Sequence, residues 1–466
     1  MKISIITVFP ELHEVFLKTS IIGRAIDKGL LQCNLIRFSD MCAPKERIDE
    51  PTVGPGVGMV LKPEVVEKAL NTCYEKWGRG YTIFFSPQGV TLTQRILDRI
   101  VTRIAGGHAV QSGDQSCAEA HCDACGHDHI VLVCSRYEGV DERVQAHYAD
   151  LVLSVGDFVV MGGDLPAQLF LEGLLRLLPG IVGKQESVEH DSFQGAVLDY
   201  PSYGLPVEWK GYEIPDILRS GNHAAIEAWR TDQAMKTTVL RRFDWFASSG
   251  PTREQVAHAK EKIPNHYVAL MHTEVNLKDG RVGTTSIASI DIHDTARACA
   301  TYAIENFFIA TPLVDQQHIV KTFLGFWRSE QGTKYNPSRQ HAVSIVRLVD
   351  SFADIIAAIE EKEGVRPIIV TTSAKQHEFA QRVDYRSQSI VWSHERPVLF
   401  VFGTGQGLSD AILSQADYLL VPVQGLTTYN HLSVRSAVSI ILDRWIGLQP
   451  DLALLPECKK KTQNLL

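Results

Sequence analysis

A chain of 466 residues has room for two to four compact units of about 100–200 residues each. Apolar residues make up 45% and charged residues 21%, which suits a globular protein in water, and no apolar run reaches the ~20 residues of a membrane span. A net charge of −8 argues against capturing nucleic acid by bulk charge and leaves local basic clusters as the route to a phosphate backbone.

Met1–Pro10 opens with a strand, Ile3–Phe9, and has no small-residue cleavage site of the signal-peptide kind. Nine cysteines in no framework spacing point to a reducing compartment, so a cytoplasmic setting is expected. A short strand at Leu35–Phe38, a helix at Pro63–Leu70, a buried strand at Tyr81–Phe85 and an amphipathic helix at Thr93–Ile104 follow. Strands alternating with helices imply a mostly parallel α/β sheet. Between them, Asp49–Met59 carries Gly54, Gly56 and Gly58 around Pro55. Without a Gly-Lys-Ser/Thr ending it is not a P-loop.

Cys117, Cys122 and Cys125 stand among His121, His127 and His129. Three thiolates and an imidazole can hold zinc. With no second Cys-x2-Cys pair, the favoured reading is a polar surface insertion that carries no metal.

Ile130–Cys134 is the next strand. It runs into Arg136-Tyr-Glu-Gly-Val-Asp-Glu-Arg143, five charged residues in eight, better read as a polar site at a strand's C-terminal end than as core. Ala149–Val155 is a further strand, followed by Ser154-Val-Gly-Asp-Phe-Val-Val-Met-Gly-Gly-Asp-Leu-Pro166. Its glycines allow turns with positive φ or close backbone approach, and Pro166 sits near the first turn of a helix, Ala167–Leu178. Arg176 lies among the leucines of that helix, an awkward place for a guanidinium unless it faces a pocket. Residues 186–200 read as an acidic, mobile linker holding Glu189, Asp191 and Asp199, in which Asp191-Ser192-Phe193 alone could be a helix cap.

Residues 201–250 change character, with prolines at 201, 206 and 215 before helices at Asp216–Ser220 and Ala224–Arg242. A linker, 251–265, leads to a second α/β pattern over 266–466. Its strands are Val268–Leu270, Phe307–Ala310, Pro367–Thr371, Val398–Phe402 and Tyr418–Val423, and its helices are Thr295–Glu305, Phe352–Glu363 and a last one reaching Trp445. Gly403-Thr-Gly-Gln-Gly407 follows a strand but lacks G-x-G-x-x-G spacing, which counts against a nicotinamide-dependent oxidoreductase. The basic cluster Lys459–Lys461 lies near the C-terminal end.

Ser86-Pro87-Gln88-Gly89, the Cys134–Arg143 run, Ser154–Pro166, Asp191-Ser192-Phe193, Leu198–Pro201 and Ser220-Gly221-Asn222-His223 together resemble the bacterial TrmD-type tRNA (guanine-N1)-methyltransferases over residues 1–245. Phe402–Leu408, Val421–Gly425 and Asn430–Ala437 resemble a second SPOUT-class RNA methyltransferase domain, of the kind found fused behind TrmD. The resemblance implies two SPOUT-type, trefoil-knotted α/β domains (1–185 and 266–466) with a small helical tRNA-binding domain between them. It implies a homodimer acting on tRNA rather than DNA, at N1 of the guanosine 3′ of the anticodon, with S-adenosylmethionine as methyl donor and Mg2+ as a candidate aid to catalysis.

Such a transfer needs the methyl group in line with N1, a base for the N1 proton and a partner for charge on O6. The resemblance assigns Asp191 as base and Arg176 as the O6 partner. It implies a cofactor set drawn from three loops. The first gives Ser86, Pro87 and Gly89, and the second Ser135, Tyr137, Glu138 and Gly139. The third gives Ser154, Val155, Phe158, Val160, Gly162, Gly163 and Pro166. In the second domain the matching set is Phe402, Gly403, Gly405 and Gly407, then Val423 and Gly425, then Leu432, Ser433 and Ala437. Asn222, His223, Trp229 and Arg230, with Arg435 beyond them, are the implied RNA contacts. The C-terminal half has no evident base, so a non-catalytic RNA-binding or dimerisation module stands beside a second methyltransferase as its reading.

Overall fold

The structure is a computed structural model and describes residues 1–55, 58–104, 128–182, 191–374 and 381–449. The expected cysteine cluster at 117–125, Gly56, Glu189 and the lysines 459–461 lie outside the described residues. The chain divides into two compact units that meet at Gln194 and Gly195.

In the first unit the strands are β1 (Lys2–Thr7), β2 (Gln32–Arg37), β3 (Tyr81–Thr91), β4 (His129–Val133) and β5 (Leu151–Ser154). All neighbours run parallel, in the order β2-β1-β4-β3-β5. Such a sheet is covered on both faces, and its strands read as near-continuous apolar runs. Here Ile3, Ile5, Tyr81, Ile83, Ile130, Leu132, Leu151 and Leu153 fill one layer, and Ile6, Phe84, Val131 and Val133 the other. The covering helices are α1 (Pro10–Lys18), α2 (Ser20–Asp27), α3 (Pro63–Trp77), α4 (Gln94–Ile104), α5 (Glu142–Tyr148) and α6 (Asp164–Leu175). α6 begins three residues before the expected start and ends at Leu175, which leaves Arg176 as its C-cap.

His129, read as a possible neighbour of the cysteines, is instead a core residue of β4. Its ring bonds Ser4 Oγ at 2.9 Å through Nε2 and faces the Gly78 carbonyl at 2.9 Å through Nδ1. Both nitrogens are occupied.

The second unit contains α7 (His223–Ser248), α8 (Arg253–Lys262) and a sheet of β6 (His266–Met271), β7 (Asn306–Ala310), β8 (Val346–Val349), β9 (Ile368–Thr372), β10 (Gln381–Val383), β11 (Val398–Gly403) and β12 (Tyr418–Leu420). All pairings are again parallel, in the order β8-β7-β6-β11-β9-β12-β10. Without the edge strands β8 and β10, the five that remain, taken in chain order, repeat the 2-1-4-3-5 order of the first sheet. Helices α9 (Ser289–Thr301), α10 (Val314–Arg328), α11 (Phe352–Glu363) and α12 (Val434–Ile446) pack on it. Residues 201–250 belong to this unit. Met235, Val239, Phe243 and Phe246 of α7 share a core with Val268, Phe400, Trp392 and Trp445. α7 runs past Arg242, whose φ −141°, ψ 47° marks a kink where the sequence suggested an end.

Candidate functional site

In the first unit, β4, β3 and β5 lie side by side, so the loops leaving their C-terminal ends meet, where ligands sit in parallel α/β sheets. β3 pairs with β5 through Phe85 and again through Val90, both opposite Leu153. Residues 86–89 are therefore looped out of the sheet, and the chain then resumes its pairing. Gly89 allows this return, since a Cβ there would stand 2.5 Å from the Val152 carbonyl oxygen.

The β4 and β5 loops close on each other. Gly163 N–H donates to the Ser135 carbonyl at 2.8 Å, and Arg136 bridges Gly162. A Cβ on Gly163 would lie 2.9 Å from Cys134 Cα, and one on Gly162 would lie 2.5 Å from Arg136 Cδ. Glu138 N–H donates to the Met59 carbonyl at 2.9 Å and Leu61 N–H to that of Gly139 at 3.1 Å, which draws the glycine-rich loop to the same end of the sheet. Tyr137 takes φ +60° and Gly139 φ +112°, so this turn is sharp. Ser154 is buried and uses its hydroxyl to bond Gly156 at 3.0 Å. Phe158, Val159 and Met161 are exposed beyond it, while Val155 and Val160 are half-buried. Pro166 is buried in α6. The contacts that close this rim are mostly main-chain.

Arg176 and Asp191 are brought together as an ion pair, half-exposed, through Nη2 and Oδ2. The pair stands at the C-terminal end of α6, about 18 Å of helix from the Gly162-Gly163 turn that precedes that helix, and a carboxylate beside a guanidinium can accept a proton while the guanidinium meets developing negative charge.

Asp164, which the sequence reading did not single out, is the most connected charge here. It is 1% exposed and accepts from Thr7 Oγ1, from His13 Nε2 at 3.0 Å and from Arg136 Nε at 2.9 Å. Burial alone would raise its pKa. The His13 and Thr7 hydrogen bonds and the Arg136 charge outweigh burial and hold it below the usual carboxylate range. Cys134 lies beside this group, and burial pushes its thiol well up, so it is inert rather than nucleophilic. Among the described residues, His13, Cys134 and Asp164 are the set whose donors converge, within 4.8 Å. With one carboxylate already taken by Arg136, they do not suit Mg2+, which asks for octahedral oxygen ligands.

In the second unit the ends of β11 and β12 also lie on either side of one strand, β9. Gly403 and Gly405 answer to the chain's own backbone, since Cβ atoms there would stand 2.6 Å from Leu408 N and 2.8 Å from the Asn276 carbonyl oxygen. Gly407, at φ +104°, and Gly425 face open space. Phe402 is buried within β11 and Val423 is half-buried. Leu432 is exposed, Ser433 caps α12 by accepting from Ser436 N–H, and Ala437 lies in that helix's first turn. Arg435 is matched by Asp291 at 3.0 Å and Asp294 at 3.5 Å.

Of the expected RNA contacts, Asn222 caps α7 by accepting from Ala225 N–H at 3.2 Å, and His223 next to it is exposed. Trp229 packs near Tyr203 and Arg230 lies 4.6 Å over the Tyr200 ring. The sequence reading missed Trp209 and Tyr212. They project, 60% and 76% exposed, from a small hairpin of Glu208–Trp209 and Tyr212–Glu213, with Lys210 4.7 Å over the indole.

Comparison with known proteins agrees with this division. Residues 1–105 and 109–248 match the family model described as tRNA (Guanine-1)-methyltransferase TrmD. Residues 265–447 match the family described as SAM-dependent RNA methyltransferase. A tRNA (guanine-N(1)-)-methyltransferase of Oleidesulfovibrio alaskensis is 33% identical over 96% of this chain and 99% of its own length. One of Nitratidesulfovibrio vulgaris is 33% identical over the same shares. One of Thermotoga petrophila is 36% identical over 53% of this chain and 90% of its own length.

Proposed function

The chain belongs to the tRNA (guanine-N1)-methyltransferase family and carries behind that domain a SAM-dependent RNA methyltransferase domain, and from this premise we propose that its first unit methylates N1 of the guanosine 3′ of the tRNA anticodon. The observation that carries the reading is the Arg176–Asp191 pair at the C-terminal end of α6, in a unit whose looped strand ends are closed by main-chain contacts; in the homodimer the pair of one protomer serves the loops of the other. Adenosine and methionine parts of S-adenosylmethionine can be held there by amides and carbonyls of residues 86–89, 134–139 and 154–163, as in trefoil-knotted domains. Asp191 takes the N1 proton, Arg176 turns to O6, and the methyl group passes in line.

Residues 201–250 grip the tRNA. Asn222, His223, Trp229 and Arg230 line one end of α7, and Trp209 and Tyr212 offer exposed rings on which unpaired bases stack. A homodimer is supported by an apolar face on adjacent helices, with Val15 of α1 and Leu165 and Leu169 of α6 more than half exposed. Faces of that kind mark interaction sites. The second unit, with the same strand order and its own open glycine turn at Gly407, binds S-adenosylmethionine and modifies a different RNA position.

The test is nucleoside mass spectrometry of tRNA incubated with the full chain and S-adenosylmethionine. Formation of N1-methylguanosine next to the anticodon supports the assignment. Methylation solely at other nucleosides would remove it.

A further inference from the structure

Asp164 belongs to no part of the transfer described above, yet it is a buried charge with three partners from three segments. Thr7 ends β1, His13 is in the second turn of α1, and Arg136 is in the loop after β4. Asp164 itself follows Gly162-Gly163 and opens α6. Its carboxylate therefore ties the β4 and β5 loops to each other and both of them to α1. A buried carboxylate with one partner missing is costly, so such a cluster holds as a whole or loosens as a whole.

The second unit supplies an independent comparison. Ile6 pairs with Val133 in the first sheet and Met271 with Gly403 in the second, and in each the next residue of the neighbouring strand, Cys134 or Thr404, donates its N–H back to Ile6 or Met271. Between the first two strands lie α1 and α2 in one unit and α9 in the other. The helix after the last of the five shared strands is α6 in one and α12 in the other. At this matching place, His13 of α1 meets Asp164 of α6 at 3.0 Å, and Asp291 of α9 meets Arg435 of α12 at 3.0 Å. In both units the helix after the last shared strand is joined through a carboxylate contact to a helix lying between the first two.

We propose that Asp164 is a positioning residue that latches the β4 and β5 loops into the shape that receives S-adenosylmethionine. This rests on the reading of those loops as the cofactor pocket. Asp164 touches neither cofactor nor guanosine. It sets the spacing between the Ser135 carbonyl, Gly163 N–H and the Tyr137–Gly139 turn, and so acts on cofactor affinity.

The experiment follows N1-methylguanosine formation by the full chain while S-adenosylmethionine is titrated, because that product reports the first unit alone. Asp164→Asn keeps the shape and removes the charge. Its KM for S-adenosylmethionine should rise about tenfold or more, with kcat at saturation within about threefold of the parent, the signature of a lost ground-state contact. Thr7→Val, which removes one tie and carries the test where Asp164→Asn fails to fold, should raise the same KM by a smaller factor. Asp164→Glu, which restores the charge, should recover part of the loss. An unchanged KM in the Asn and Val variants overturns the latch, even if kcat falls, since a fall in kcat alone means fewer folded molecules. A parent chain that makes no N1-methylguanosine would instead overturn the functional reading itself.

Discussion

At Asp191 a single carboxylate oxygen meets one guanidinium nitrogen of Arg176, and the proposed chemistry asks both groups to change partner when guanosine arrives. Replacing a general base removes the chemical step while leaving the cofactor loops untouched. Asp191→Ala should therefore lower kcat by about 10²–10⁴-fold, with KM for S-adenosylmethionine within about twofold of the parent; single-turnover formation of N1-methylguanosine checks it. Another residue, His266, governs stability rather than chemistry. The indole N–H groups of Trp392 and Trp445 both donate to its Nε2, at 3.2 and 3.1 Å, so that nitrogen cannot accept a proton without losing both. Burial lowers its pKa to about 4, and burial lowers that of His272 to about 4 as well. The unfolded chain binds protons at these histidines near pH 6.5, so between pH 6.5 and 4 it binds more than the native chain. Stability of the second unit should be fully present above pH 6.5 and fall as pH drops to 4, by up to about 3 kcal/mol for each histidine. Denaturant midpoints taken across that window measure the slope.

Among the elements, ten of the twelve strands of the two sheets were legible in the sequence because parallel strands covered on two faces are short apolar runs, and β1, β4, β6 and β11 lie within a few residues of their expected places, whereas the edge strands β8 and β10 were not read. α1 was not legible. It holds two well-buried residues besides its opening proline, His13 and Leu17, and leaves Leu12 and Val15 exposed, so its apolar pattern does not mark a core face. With α1 unseen, His13 had no address, and Asp164 read as one more residue of a Gly-Gly turn. The candidate site was legible as motifs; the buried cluster behind it consists of contacts between residues up to 157 positions apart, which no local pattern announces. Gly89 is where an element and a motif coincide. Adding one methyl group, Gly89→Ala, drives a Cβ against the backbone of β5, which cannot move aside as a side chain could. The variant should lose about 1–3 kcal/mol and bind S-adenosylmethionine more weakly. Chemical denaturation of parent and variant checks the first part, and titration of initial rates the second.

Across the whole molecule, two units that share a five-strand order sit on a single chain with separate cores and separate sets of strand-end loops. Damage to one pocket should therefore spare the other reaction. Gly405→Val places a branched side chain against the Asn276 carbonyl at φ +61°, and should abolish modification by the second unit while N1-methylguanosine formation continues. Nucleoside mass spectrometry of the same reaction reads both products at once. Equal topology also creates a hazard while the chain is being made, because consecutive domains built alike can exchange segments before either has closed. The interhelical contacts of Asp164 and Asp291 bear on that hazard. Were α6 of the early unit to seek the place beside α9 of the later one, Asp164 would meet Asp291; were α12 to settle on α1, Arg435 would meet His13. The first crossed assembly sets two carboxylates against each other. Which helix closes which sheet is thus a question of carboxylate placement as well as of apolar fit.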